Sequence, residues 1–432
     1  MTSLVNKKEN RLFSVKIYYF LFVFASFYIL ACKLYMDDKN YDHLLTVDSW
    51  EVFIPMTEYY LNTSKGLLDA LSYVWDDYFI FKREMPGYYT ILIFGGWLSE
   101  IFKTDLYLTL QLSTLFLASF IGVVLYRLFL KNGFDQKESY KNTLIISFLS
   151  VLFFYSTIIL RDSHIALLYL VAIYLTFKKE FSIVTVVLLL FVSIVTGTLR
   201  SESGLFLLML IPLYLFMSLQ VSKHKILTFF MSFFVVIMII YLGMSQQEEV
   251  KTVYDDNRKH YIDADKGGGV IGSLDSIPLV GKMGAIVYNA VLPIPCWRLL
   301  KSPSRGKAVL REDYRREVYN IMNFPRIITA FLNWLVLLHI CAWLLSQDLR
   351  KRTKNLVSKP LFYQLLSGLL FFYLQATVLS HRRLMGYYCV FYILFFIIYR
   401  VFTSEQKRVL MFWTIFSFLM LQVFGVVYEG GL

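Results

Sequence analysis

Apolar runs of about 15 to 25 residues recur along most of the chain, each long enough for a helix rising ~1.5 Å per residue to cross or nearly cross a bilayer. The runs are continuous and show no period of two, which excludes the alternating strands of an outer-membrane barrel. Only 17% of residues are charged against 57% hydrophobic, below the roughly 25% charge of an ordinary soluble domain, so lipid is the solvent the composition implies. The expectation is an all-α polytopic integral membrane protein, one membrane domain over residues 1–432 with about eleven transmembrane helices. Its first run, Phe13 to Ala31, follows Lys7, Lys8 and Arg11; it is too long for a signal peptide, lacks a small-residue cleavage site, and reads as an uncleaved first helix.

A net charge of +12 would point to nucleic acid in a soluble protein, but here much of it lies in short clusters between apolar runs, where it sets topology; no nucleic-acid partner is expected. The cluster Arg350, Lys351, Arg352, Lys354 and Lys359 anchors the cytoplasmic side. Alternation from that anchor predicts helices near 328–346, 360–380, 386–402 and 409–428. It also puts Arg161 to His164, Arg200 to Ser203, and His381 to Arg383 on the outer face, with the N-terminus inside. Residues 35 and 105 then share the outer side, so the segment 87–103 is expected to be re-entrant or interfacial. Such backbone is tolerated where it lines a protein cavity.

Two long outer loops follow, roughly 35–86 and 245–327. The first carries ten acids against four bases; the second carries a GGG at 267–269, prolines at 293 and 295, and the pair Trp297-Arg298. Among four cysteines, Cys32, Cys341 and Cys389 fall in apolar runs and only Cys296 in a polar loop, so neither a disulfide framework nor metal-ligand spacing is readable.

Ionisable groups at or inside membrane helices are functional candidates by default. Arg161-Asp162-Ser163-His164, Arg200-Ser201-Glu202 and His381-Arg382-Arg383 all put arginine on the outer side in short loops, against the usual charge bias. Guanidinium forks suit bidentate contact with phosphate or pyrophosphate, so Arg161, Arg200, Arg298, Arg382 and Arg383 are candidate anion binders. A carboxylate near a hydroxyl can act as general base, and Asp48, Glu58, Asp162 and Glu202 are the candidate catalytic acids, with Glu51 beside Asp48. Arginine and carboxylate together supply what glycosyl transfer needs, with no metal or cofactor. Tyr88, Tyr89 and Trp297 at the outer surface are candidates for stacking on sugar rings. The competing structural readings are local ion pairs, Arg161 with Asp162 and Arg200 with Glu202, and Arg382 or Arg383 reaching to lipid headgroups. His164 and His381 lack a partner at metal spacing and read as hydrogen-bonding residues.

The order of these pieces resembles the bacterial O-antigen and exopolysaccharide repeat-unit polymerases, and more broadly the multi-pass GT-C glycosyltransferases that use polyprenyl-linked sugars. The segments carrying the resemblance are VDSWEVFIPMTEYY, PGYYTILI, LRDSHIALLYLVAIYLTFKKE, LRSESGLFLLML, PIPCWRLL and HRRLMGYYCVFYIL, which cover most of the chain in layout through short motifs. The resemblance implies polymerisation of undecaprenyl-pyrophosphate-linked repeat units on the outer, periplasmic face of a bacterial inner membrane. Arg161, Arg200, Arg382 and Arg383 would hold the pyrophosphate, and an acid such as Asp48 would assist the acceptor. Partners so implied are the lipid-linked donor and acceptor, a chain-length regulator and a flippase. The chain departs from the family pattern at Asp162, where a Gln is frequent, and at Arg200-Ser201-Glu202, where a His-Ser pair is frequent. Those departures point to a different branch as an alternative, a GT-C transferase adding one sugar from a polyprenyl-phosphate donor; a flippase or transporter is a further, separate alternative, weighed against the lack of internal repeats.

Overall fold

A computed structural model describes residues 2–38, 52–81, 85–178, 180–218, 233–234, 312–375 and 385–430; among these every regular element is helical and no strand occurs. Three stretches are long and apolar enough to cross a membrane, Arg11–Tyr35, Leu106–Lys131 and Pro325–Leu345. Shorter apolar helices cover Asp162–Thr176, Ile183–Leu199, Ser203–Ser218 and Tyr388–Val401.

Helix α1 (Thr2–Asp38) shows why lipid is the natural surrounding. Ser14, Ile17, Leu21, Ala25 and Ile29 recur at helical spacing and are buried, while Tyr19, Phe27 and Leu34 on the other side are 61%, 67% and 70% exposed. Both faces are apolar, and only one is packed against protein. Ile183, Val187, Phe191 and Ile194 make a similar exposed apolar face. Contiguous surface of this kind is not stable in water.

The chain divides into two compact units. The first contains α1, α2 (Ile54–Thr63), α3 (Leu67–Phe81), α4 (Pro86–Phe102), α5 (Leu106–Ala118), α6 (Phe120–Lys131), α7 (Gln136–Leu149), α8 (Val151–Ser156) and α9 (Asp162–Thr176) as far as Tyr174. To these it adds Phe191–Gly204, the end of α10 (Ile183–Leu199) and the start of α11 (Ser201–Leu208). Helix starts are set by acids: Asp105 accepts from the Leu108 N–H and Asp135 from the Glu138 N–H, both at 2.8 Å. Each satisfies an amide that the helix itself leaves unpaired. Helix α1 packs on α5, α6 and α7, while α4 packs on α2, α3 and α5.

Within the first span expected as an outer loop, the described residues are largely helical. The span 35–86, read as a loop from its acids, contains α2 and α3; Tyr60 of α2 donates to Asp77 of α3 at 3.0 Å, and Ala70 and Val74 are buried one turn apart. The segment 87–103, expected to be re-entrant or interfacial, is one unbroken helix. Pro86 sits in its first turn, where the missing N–H costs nothing, and the Lys103 N–H closes its end on the Ser99 carbonyl.

The second unit holds Leu175–Leu190, the chain from Leu205 through α12 (Leu210–Ser218), and α13 (Glu312–Leu345) from Arg326 onward. It continues with α14 (Gln347–Thr353), α15 (Lys359–Gln375), α16 (Met385–Val401) and α17 (Ser404–Gly430). Polar pairs fasten these apolar helices: Tyr392 to Asn333 at 2.7 Å and Gln364 to Thr176 at 2.7 Å, both buried, and the partly buried Trp334 to Ser417 at 2.8 Å. Such bonds matter between helices that gain nothing by hiding apolar surface from lipid. The helix expected near 328–346 extends back to Glu312, inside the span 245–327 that was read as a loop. Residues 245–311 lie outside the described residues.

In the first unit α10 and α11 are joined through one residue, Arg200, and lie back to back at two glycines. A Cβ on Gly204 would stand 2.5 Å from the Gly197 Cα and 2.7 Å from the Ser193 carbonyl oxygen. Because the obstruction is backbone, it cannot swing away. Gly204→Ala is therefore expected to lower the stability of the detergent-solubilised protein by about 2 kcal/mol or more. Gly197→Ala, whose methyl meets nothing closer than 3.9 Å, should change it by under ~0.5 kcal/mol. Thermal unfolding of the two variants side by side checks this, and equal melting temperatures would remove the close approach.

Candidate functional site

Two of the three sequence clusters meet where α9 begins and α10 ends. Ahead of α9 the chain makes a tight buried turn in which Ile158, Ile159 and Leu160 are wholly enclosed, and the Leu160 N–H bonds the Ile158 carbonyl at 2.8 Å. The Arg161 carbonyl then accepts from the N–H groups of His164 and Ile165, so Arg161 caps the helix and Asp162 stands in its first turn. At the other end, the Arg200 N–H closes α10 on the Thr196 carbonyl at 2.8 Å, while its own carbonyl accepts from Ser203 and Gly204 to open α11.

The side chains interlock across these two corners. Arg200 Nη1 reaches Asp162 Oδ1 at 3.1 Å, with the two side chains only 7% and 3% exposed. Arg161 Nη1 donates to the Leu199 carbonyl at 3.1 Å. Each arginine thus reaches the corner from which the other departs. The electrostatics suit the helix ends: a carboxylate lies in the positive first turn of α9 and a guanidinium on a terminal carbonyl of α10. Arg200 also sits at the positive start of α11, a position its contact with Asp162 offsets. An ion pair thus joins residues 38 apart, Arg200 with Asp162. Arg161, Asp162 and Arg200 together carry one net positive charge, which is less cationic than independent guanidiniums would be.

Helix α4 supplies the third wall. A Cβ on Gly87 would collide with the Thr198 hydroxyl, so only glycine lets α4 approach α10 this closely. The following residue, Tyr88, is buried with its ring 5.7 Å from that of His164 and 4.9 Å from that of Phe53. Its hydroxyl lies beside that of Thr114 on α5 and within electrostatic reach of Asp162 and Arg161. Gln111, one helical turn before Thr114, donates to the Thr157 carbonyl at 3.4 Å and ties α5 to the turn ahead of α9. Tyr88 and Tyr89, placed by the sequence at the outer surface, are in fact 0% and 6% exposed. Their helix face is covered by α2 and α5, and Tyr89 packs on Tyr60 at 5.7 Å. Their rings serve packing here and present no open face to a sugar.

Among the other candidates, Glu58 is half-buried on α2, and Glu202 lies in α11, two residues past Arg200. Asp48, Trp297, Arg298, Arg382 and Arg383 lie outside the described residues. Sequence reasoning missed Gln111 and Thr114; the signal for them was two polar residues three apart inside an apolar helix. Among the described residues no three His, Cys, Asp or Glu side chains gather as metal ligands. Compared with models of known families, curated proteins and solved structures, the chain gives no match.

Removing one member of a buried ion pair leaves its partner uncompensated, at about 3–5 kcal/mol. Asp162→Leu and Arg200→Met are each expected to destabilise by that order, and the double variant by less than either single one. Melting temperatures of the three purified variants decide it, and additive losses would argue against a direct pair.

Proposed function

We propose that this protein is a membrane glycosyltransferase of the repeat-unit polymerase kind. It joins undecaprenyl-pyrophosphate-linked oligosaccharides on the periplasmic face of a bacterial inner membrane, in a chain of about eleven crossings with its N-terminus in the cytoplasm. One observation carries the reading: Arg161 and Arg200, distant in sequence, are brought together with Asp162 at one end of an apolar helix bundle. Guanidinium groups held rigid in a low-dielectric setting are suited to a phosphate charge that grows as a glycosidic bond breaks. In this reading Arg161, partly exposed, meets the pyrophosphate first, and Arg200 is oriented by Asp162. Arg298, Arg382 and Arg383 complete the anion site and Asp48 or Glu58 serves the acceptor, as the family resemblance implies. The cationic segment Arg350 to Arg352, which follows the span Pro325–Leu345 directly, agrees with a cytoplasmic placement of that end. A GT-C transferase adding one sugar is the second reading, favoured by the acid at position 162, because a carboxylate engaged with Arg200 reduces the cationic charge left for a pyrophosphate.

A strain lacking the gene is expected to lose its long polysaccharide ladder and accumulate a single-repeat glycolipid. Wild type should restore the ladder. Arg161→Ala and Arg200→Ala, at matched membrane abundance, should lower polymer output by about 100-fold, the scale of losing one preorganised donor. An unchanged ladder in the deletion strain would sink the polymerase reading, and a full-length polymer missing one branch sugar would move the single-sugar transferase into first place.

A further inference from the structure

The helices that carry the arginine corner fix its depth. In the first unit α1 runs antiparallel to α5 and α6: Phe13 packs on Tyr126, and Lys33 pairs with Asp105 at 3.5 Å. Asp105 and Lys131 therefore mark the two ends of the span Leu106–Lys131, whose 26 residues extend about 39 Å at ~1.5 Å each. At one end the Lys131 ammonium lies 4.2 Å from the ring centre of Tyr174, in the last turn of α9. Helix α9 has 15 residues, so Asp162 at its start stands no more than ~22 Å from that level. Measured from the other end, Gln111 bonds the Thr157 carbonyl and Thr114 lies beside the Tyr88 hydroxyl, about 9 Å and 13 Å along the helix from Asp105. The two rulers agree. A hydrocarbon layer is ~30 Å thick, so the corner of Arg161, Asp162 and Arg200 lies inside it, about 8 Å short of the boundary on the Asp105 side.

Helices α2, α3 and α4 connect that depth to the surface. Helix α4 starts at the corner, where Gly87 meets Thr198, and ends beside Asp105, where the Thr104 and Thr109 hydroxyls meet at 2.8 Å. Helix α2 runs alongside it in the same direction, Phe53 against Tyr88 and Leu61 against Gly96. Helix α3 is tied to α2 through Asp77 and Tyr60, packs on α4, and leads toward the start of α4. Its surface has three edges. Ala70 and Val74 are buried; Asp69, Tyr73 and Asp76 are exposed; and Leu68, Trp75 and Phe79 recur at helical spacing on the remaining edge, with Leu68 and Phe79 82% and 71% exposed. An apolar, aromatic edge beside an acidic one suits a helix lying between lipid and water. We infer that α2, α3 and α4 form a unit that enters and leaves the membrane on the same side, with lipid acyl chains covering the Leu68, Trp75 and Phe79 edge and water meeting the Asp69 and Asp76 edge. The occupant of the apolar edge is lipid because the unit descends to a corner that itself lies within the hydrocarbon, and because Phe94, Ile101 and Phe102 of the adjoining α4 are exposed as well. The arginine corner is then a site below the plane of the headgroups. This inference concerns membrane depth and does not depend on glycosyl transfer.

The test uses the full chain in phosphatidylcholine vesicles, with a small fluorescent amino acid replacing Tyr73, Phe79, Phe102 or Ser201, one per variant. All four side chains are exposed, so the label displaces no packed group. Three quenchers are compared: a nitroxide on the acyl chain, a nitroxide on the headgroup, and iodide in the water. The label at position 79 should be quenched about twofold or more better by the acyl-chain nitroxide than by the headgroup one. The label at 73, on the acidic edge of the same helix, should respond to iodide. The label at 201, next to Arg200, should lie about 10 Å nearer the bilayer centre than the one at 102, the separation the helix rulers give. Equal depths at 201 and 102 overturn the recessed corner. Quenching at 79 by iodide alone, or by none of the three, overturns the lipid contact, the second outcome showing that protein covers that edge. A label at 73 that responds to the acyl-chain nitroxide and not to iodide overturns the water-facing edge.

Discussion

The arrangement around the site depends on a charge pair kept out of water. Arg200 and Asp162 are both nearly fully buried, and either one alone would be among the most expensive groups to place in such an environment. Together they fix two things that apolar packing leaves open, the angle at which α9 starts and the point at which α10 ends. Apolar side chains in lipid have weak preferences between neighbouring registers, since sliding one helix along another exchanges one greasy contact for another. A paired charge has one acceptable partner position. The Arg161 bond to the Leu199 carbonyl adds a second fixed point at the same place, so the corner is determined in both distance and rotation.

The second unit reaches definition by a different route. Its helices are pinned by neutral bonds, Tyr392 with Asn333 and Trp334 with Ser417, and by Tyr214, whose hydroxyl donates to the Glu180 carbonyl and accepts from the Ser182 N–H. His339 of α13 packs edge-on against Phe395 and Phe402 and places Nδ1 2.8 Å from the Leu335 carbonyl.

Much of the fold was legible because hydrophobic length is a strong signal. The runs at 13–31 and 409–428 fall within helices, and those at 328–346 and 386–402 overrun their helices by one residue each. The helices α2 and α3 were not legible, because their acids, Asp69 and Asp76 exposed among them, mask the short buried stripe of Ala70 and Val74. The clusters at 161 and 200 meet through Arg200 and Asp162, a contact the sequence did not suggest. Sequence proximity points to Arg161 with Asp162 and Arg200 with Glu202, and the contact of Arg200 with Asp162 turns on two chain reversals that no local pattern reports. The aromatic pair at 88–89 was misplaced for a related reason: an amphipathic ring suits a membrane surface and a buried helix contact equally well.

The single-residue joint at Arg200 has a consequence for how this chain can vary. Most connections between helices tolerate an inserted or deleted residue, because their backbone bonds to water and can be redrawn. At Arg200 the same residue gives its N–H to the helix behind it and its carbonyl to the helix ahead, and its side chain is committed to a third. Lengthening the joint by one residue would turn the guanidinium about 100° around the helix axis, away from Asp162. The spacing from Thr196 to Gly204 is therefore a ruler, and variation in length must accumulate elsewhere in the sequence.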